Sequence, residues 1–313
     1  MKALSALTGG AGIVSGPHTF HHFRGEGDVD IFLLGEEHSN QGVCPFKGID
    51  VVDLVMTCLD EGMQVYLEMP CYYESKPDPL VECPALPRSG VRADVLNDLR
   101  ACAQEYIRNT PLAHRGSTGA AVQFTDNREE AGPLPFSLEE QKFVMDVEAR
   151  ARGGDEDGAR WAVTDRFLQP LRTASTGSTA RCSEFVKAIE GGGCGHVDRY
   201  VEEQWGSRVT AKARAMPEVL RRRFPDFISD AVLTYRQAMD DAMNLYTLWL
   251  IARGRAGGAG AAPPRALFYG GSAHTLALAE NLQALSFVLV NSRVQETSNS
   301  CMRLKRGAAS GTP

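Results

Sequence analysis

The stretch from Asp28 to Leu67 constrains the fold more than any other part of the chain. Asp28-Val29-Asp30-Ile31-Phe32-Leu33-Leu34 is an apolar run closed by Gly35, the pattern of a strand buried on both faces. A helix is predicted over 47–62, where Ile49, Val52, Leu54, Val55, Met56 and Leu59 recur and Gly62 gives a stop signal. Met63-Gln64-Val65-Tyr66-Leu67 reads as the next strand, bounded by that glycine and Pro70. Two strands joined through a helix form a parallel crossover unit, because strands running the same way need a long connection between them. The prediction is an α/β fold whose mainly parallel sheet is flanked by helices.

The remainder extends this plan. Residues 1–27 hold Gly and His without a sustained period and are expected to be an irregular N-terminal segment. Pro70, Pro77, Pro79, Pro84 and Pro87 make 70–91 a long loop that cannot hold a helix. A helix over 92–109 and a third strand over 120–125 follow. From 137 to 254 the chain turns charged and helical, broken at Gly153-Gly154, at the Ser/Thr-rich 173–180 and at Gly191-Gly192-Gly193. Residues 137–225 are read as a helical insertion or cap. The strongest helix, over 226–253, carries Phe227, Ala231, Leu233, Tyr235, Met239, Ala242, Met243, Tyr246 and Leu250 at helical spacing. After a Gly/Ala/Pro linker come a strand at 265–269, a helix at 272–284 and a strand at 286–290. The expected organisation is one α/β domain over 28–295, followed by a flexible tail over 296–313.

Charge and composition narrow the partners. Lys and Arg number 33 against 39 Asp and Glu, a net charge of −6, which disfavours a polyphosphate ligand and so a nucleic acid. The longest apolar stretch, around Leu245–Ile251, is too short to cross a bilayer and is bracketed by Asp240, Asp241 and Arg253, so no membrane partner is expected. Eight cysteines occur without a C-x-x-C pair, and the first residues lack the continuous apolar stretch of a secretory signal. The thiols are therefore expected to be reduced and mostly structural, and the protein soluble and cytoplasmic. A small molecule or a peptide is the expected substrate.

Each predicted parallel strand runs into ionisable residues at its carboxyl end, the edge where open parallel sheets bind ligands. The first gives Gly35-Glu36-Glu37-His38, the second Glu68, the third Asp126-Asn127-Arg128, and the late strand Gly270-Gly271-Ser272-Ala273-His274. Glycine before each His lets the chain turn sharply and lets a ligand approach the backbone. Glu68, between an apolar run and Pro70, is expected to be rigid and partly desolvated. Arg128 offers a bidentate clamp for a carboxylate, a phosphate or a developing oxyanion. Each residue also has a plain structural explanation: a turn-capping His, a solvated Glu, an Asp126–Arg128 surface ion pair.

In their order, Gly35-Glu36-x-His38, Leu67-Glu68, Asp126-x-Arg128 and Gly271-x-x-His274 resemble the signature of the superfamily of erythromycin esterases, ChaN-like proteins and TraB/Tiki proteins. The segment Arg236-Gln237-Ala238-Met239-Asp240-Asp241-Ala242-Met243-Asn244 is similar to the helix that faces the site in esterase and ChaN-like members. The resemblance covers about 28–130 and 226–291. It implies a cleft lined by His38, His274, Glu36, Glu68 and Arg128, with Glu36 turned inward and Glu37 toward solvent. Arg236 and Asp240 join Asp126, Gly35, Gly271 and Ser272 as candidate substrate-binding residues. Members include ester hydrolases, proteins proposed to be metal-dependent proteases, and a branch that binds haem or iron compounds.

Three functions compete on these residues. In the first, an ester or amide-type bond is hydrolysed without a covalent intermediate. His38 takes a proton from water, Glu36 or Glu68 orients the imidazole or the water, and Arg128 with His274 stabilises the oxyanion. No G-x-S-x-G elbow is present, and Ser272 is the one serine placed to stand in for a nucleophile. In the second, Glu36, His38, Glu68 and His274 hold a divalent metal, Zn or Mn, for the same hydrolysis. In the third, the protein binds haem or an iron compound without catalysis, with Cys71, Tyr72 and Tyr73 as further ligands. Cys182, Cys194 and His196 match no metal-site spacing, Arg221-Arg222-Arg223 reads as a solvated helix end, and His21-His22 as surface.

Overall fold

In the computed structural model the described residues are Leu7, 12–37, 48–70, 80–84, 95–109, 122–126, 184–193, 195–212, 227–253, 265–295 and 301–304, with 142, 145–147, 149, 150, 153–155, 158 and 162 from the stretch between. Side chains at 12, 13, 227–235, 253, 301, 303 and 304 are not among them. The strands are β1 (Gly12–Ser15), β2 (Thr19–Gly25), β3 (Val29–Glu36), β4 (Ile49–Asp50), β5 (Gln64–Pro70), β6 (Val122–Asp126), β7 (Arg265–Gly271), β8 (Val288–Val294) and β9 (Cys301–Leu304). The helices that matter below are α1 (Val51–Asp60), α2 (Val95–Asn109), α3 (His196–Gln204), α4 (Phe227–Arg253) and α5 (Ser272–Ala284).

Two apolar strands, β3 and β7, form the middle of a six-stranded sheet ordered β6-β5-β7-β3-β2-β8. The crossover β3-α1-β5 leaves a gap that β7, arriving from far along the chain, fills in parallel with both neighbours. Helix α1 starts where the Asp50 carboxylate accepts the Val52 N–H at 2.9 Å, an N-cap that satisfies one of the free donors of the first turn. It ends before Gly62, which turns the chain at φ 80° into β5.

The fold is α/β, but the sheet is mixed rather than mainly parallel. Strands β2 and β8 lie antiparallel at one side, β2 between β3 and β8. The N-terminal segment expected to be irregular therefore supplies two strands, β1 and β2. Strand β2, Thr19-Phe20-His21-His22-Phe23-Arg24-Gly25, is buried on both faces through Phe23, so it shows no alternation, and its paired His mask its apolar character. Its connection to β3 is a three-residue hairpin loop, Glu26-Gly27-Asp28, with Gly27 and Asp28 at φ 75° and 60°. The expected fraying tail is also corrected: β9 pairs antiparallel with β1, opposite β4, in a separate three-stranded sheet.

His21 and His22 are not on the surface; they are 5% and 3% exposed. His21 Nδ1 shares a 3.0 Å hydrogen bond with Ser292 Oγ on β8, and its buried Nε2 has no hydrogen-bond partner among the described residues. His22 stacks on Phe32, centroids 4.4 Å apart, and its Nε2 lies 2.8 Å from Asp30 Oδ1. The thiols are not all reduced, since Cys83 and Cys102 form a disulfide between the β5–α2 connection and α2. Cys58 on α1 is a free, buried thiol. Cys44, Cys71, Cys182 and Cys194 lie outside the described residues, as do Tyr72, Tyr73, Arg221–Arg223 and most of the loop 70–91.

The chain divides into two compact units. The first, 1–69, 76–124 and 253–313, contains both sheets apart from the last residues of β5 and β6. The second, 70–75 and 125–252, has helical secondary structure among its described residues. Its described core is an aromatic cluster in which the Phe185 ring packs edge-on to Trp205, Tyr246 and Trp249 at 5.2–5.9 Å. The buried Trp249 Nε1–H donates to Asp198 Oδ1 at 2.9 Å, and Asp198 also accepts the Gly195 N–H, which ties the start of α3 to α4. Among the described residues no helix is long and apolar enough to cross a membrane.

Burial holds the pKa of both His21 and His22 below the usual 6.5; for His22 the hydrogen bond and charge of Asp30 oppose the shift and Arg24 adds to it. As pH falls through 6.5 the unfolded chain takes up these protons first, so folded stability is complete above that value and declines below it. The thermal midpoint should fall between about pH 7.5 and about pH 5, and His21→Phe should flatten part of that decline. An unchanged slope in the variant would remove His21 as a source.

Candidate functional site

The carboxyl ends of β5, β7 and β3 lie side by side, with Glu36 level with Gly271 and Leu67 level with Tyr269. Side chains alternate along a strand, so Glu36, Leu34, Tyr269 and Leu67 share one face while Glu68, Gly270 and Gly35 share the other. The second face carries the N-terminus of α5, the helix that follows β7 directly and coincides with the one expected at 272–284.

Glu68 and His274 meet on that face. Glu68 is 7% exposed and His274 8%. Glu68 Oε2 accepts the Gly271 N–H at 2.6 Å, and Oε1 lies 3.3 Å from His274 Nε2. Gly271 is the N-cap of α5, so the carboxylate sits against the positive end of the helix, where a negative charge is favoured. Two glycines make room for this. A methyl at Gly270 would lie 2.6 Å from Glu68 Oε2, and one at Gly35 only 2.1 Å from Thr19 Oγ1, 2.3 Å from Thr275 Oγ1 and 2.8 Å from Ser272 Cα. Around Gly35 the hydroxyls link three elements. Thr19 Oγ1 and Thr275 Oγ1 are 2.8 Å apart, Thr275 donates to the Ser272 carbonyl at 2.8 Å, and Ser272 Oγ donates to the Glu36 carbonyl at 3.1 Å.

The Glu36 carboxylate belongs to the opposite face. It is 3% exposed, and the fully buried Tyr269 donates its phenolic proton to Oε2 at 2.5 Å. Glu37 is exposed, with His18 Nδ1 3.8 Å from its carboxylate. His18, buried in the turn before β2, donates its N–H to the Gly35 carbonyl at 2.6 Å and accepts the Gln295 N–H at 2.9 Å, so it helps to fix the end of β3.

The structure thus joins Glu68, Gly271 and His274 in one constellation, with Gly35 and Ser272 beside it, and gives Glu36 a different partner on the other face. Asp126 is half-buried at the end of β6 and, like the half-buried Arg236 and Asp240 of α4, belongs to the second unit. His38 and Arg128 lie outside the described residues. Among the described residues no three His, Cys, Asp or Glu are grouped so as to hold a metal ion, so Glu36, Glu68 and His274 do not form a Zn or Mn ligand set by themselves. Tyr269 and His18 were missed in the sequence because Tyr269 reads as one more core aromatic and His18 lies in a segment without a period. The hairpin glycine of Gly25-Glu26-Gly27-Asp28 is the signal that would have placed β2 beside β3 and His18 near Gly35.

Comparison of the chain with protein-family models, with curated proteins and with solved structures finds no match in any of the three.

Because α5 is seated on β3 through the bare backbone of Gly35, Gly35→Ala should destabilise the protein by about 1–3 kcal/mol, the usual cost of overpacking. Urea denaturation measures this, and an unchanged midpoint would show that α5 is not seated so closely.

Proposed function

We propose that the protein is a hydrolase that cleaves an ester or amide-type bond with water activated by the Glu68–His274 pair. The observation that carries this reading is the double fixation of Glu68: one oxygen holds the Gly271 N–H at 2.6 Å while the other lies 3.3 Å from the His274 imidazole. A carboxylate held in this way sets the orientation of the ring and balances the positive charge that develops when the imidazole takes a proton from water. The 3.3 Å separation is long for a hydrogen bond, as catalytic contacts often are before substrate binds. The amino-terminal end of α5 supplies a positive field for the oxyanion of the tetrahedral intermediate.

This assignment moves the base role from His38 to His274, since the described geometry gives His274 an orienting carboxylate. Arg128 and His38, expected from the sequence to hold the oxyanion and to take the proton, lie outside the described residues and carry no part of this assignment. Glu36, bonded to Tyr269, supports the end of β3 rather than the imidazole. The resemblance to the erythromycin esterase, ChaN-like and TraB/Tiki superfamily includes Glu68, Gly271 and His274 among its residues and ester hydrolases among its members, which supports this reaction class. The net charge of −6 favours a neutral or cationic small molecule or peptide over a polyanion.

A panel of chromogenic esters, aryl amides and short peptides tests the proposal. Wild-type protein should hydrolyse at least one class. His274→Ala and Glu68→Gln should each lower kcat/KM by about 10²–10⁴-fold, the range for loss of a general base or its orienting group, while circular dichroism stays native. Undiminished turnover in folded His274→Ala, or no turnover of any class by the wild type, overturns it.

A further inference from the structure

We propose that Cys83 and Cys102 form a thiol-exchange site for a dithiol reductant, and that opening their disulfide unfastens residues 80–84 from helix α2. Among the described contacts, three ties join this short segment to one row of the helix. Besides the disulfide, the Cys83 N–H donates to Glu105 Oε2 at 2.7 Å and Arg108 Nη2 donates to the Val81 carbonyl at 2.5 Å. Cys102, Glu105 and Arg108 are spaced three apart, so each neighbours the next along an inclined row of the helix surface. The segment therefore lies along α2 as a strap, with the covalent bond next to two hydrogen bonds that involve charged side chains, Glu105 accepting one and Arg108 donating the other.

The two sulfurs differ in access. Cys102 is 1% exposed, whereas Cys83 is half-buried and follows the exposed Glu82. An incoming thiolate therefore attacks Cys83 Sγ, which forms a mixed disulfide as Cys102 leaves and takes up a proton. The reductant's second thiol then displaces Cys83. Two electrons pass from the dithiol, which closes to its own disulfide, to the protein, which gains two thiols. Cys58 does not compete, because it is fully buried and desolvation, reinforced by Glu61, pushes its pKa up to about 12, leaving it without thiolate character. Glu105 and Arg108 keep their hydrogen-bonding groups after reduction, so they can guide Cys83 back to Cys102 and make the opening reversible.

Native full-length protein, treated with dithiothreitol and then N-ethylmaleimide, tests this by peptide mass spectrometry together with amide hydrogen exchange. Before reduction neither Cys83 nor Cys102 should be alkylated. After it both should be, and exchange of the 81–83 amides should rise by at least about tenfold. Cys102→Ser should show the fast exchange without reductant and should form a mixed disulfide at Cys83 with an added small disulfide. Alkylation of both residues before reduction, opening only in denaturant, or opening without faster exchange each overturns the proposal, and these three are read on the wild type whether or not the variant folds.

Discussion

Everything near the candidate site depends on the contact between two pieces of backbone at Gly35 and Ser272. With no side chain between them, the first turn of α5 rests directly on β3, and the Thr19 and Thr275 hydroxyls close around the gap. That seating sets the height of α5 above the sheet. The height in turn lets the Gly271 N–H reach Glu68 and brings His274, in that same first turn, over the carboxylate. A helix held higher by one methyl group would leave a buried carboxylate without its donor, which costs more than the contact itself contributes.

Burial of these charged groups is made tolerable by local means. Glu68 is compensated by a backbone N–H and an imidazole, Glu36 by a phenol, Asp198 by an indole and a backbone N–H, each within hydrogen-bonding reach or close to it. The pairs combine residues from distant parts of the sequence: Glu36 with Tyr269, Glu68 with His274, Asp198 with Trp249. They therefore record the tertiary fold rather than any local pattern.

That explains what the sequence could and could not reveal. The strands at 29–36, 64–70 and 265–271 were legible because unbroken apolar runs between glycine and proline leave few alternatives, and α5 was legible from its glycine start. The ionisable residues at the strand ends were visible for the same reason. The strands β2 and β9 were not. The first is buried on both faces with two His in its centre, and the second is four residues long and stable only through its pairing with β1. The side of the sheet taken by each glutamate depends on a one-residue register that no composition or motif reports. The disulfide was hidden because a loop cysteine and a helix cysteine have no characteristic spacing, and their pairing follows from the way the strap lies on α2.

The place of β7 in the sheet has a consequence for how the molecule comes to exist. Strand β7 is made after both of its neighbours and after the second unit, and until residues beyond 264 emerge, β3 and β5 have no common neighbour. The nascent chain must carry two long apolar strand edges unpaired through the synthesis of the whole second unit, the condition under which edges recruit other chains. The sheet then closes by insertion rather than by growth at its margin, so its central hydrogen bonds join partners separated by most of the sequence. Such a topology makes for slow folding and links the finished site, which lies at the end of that inserted strand, to synthesis of the residues that follow the second unit.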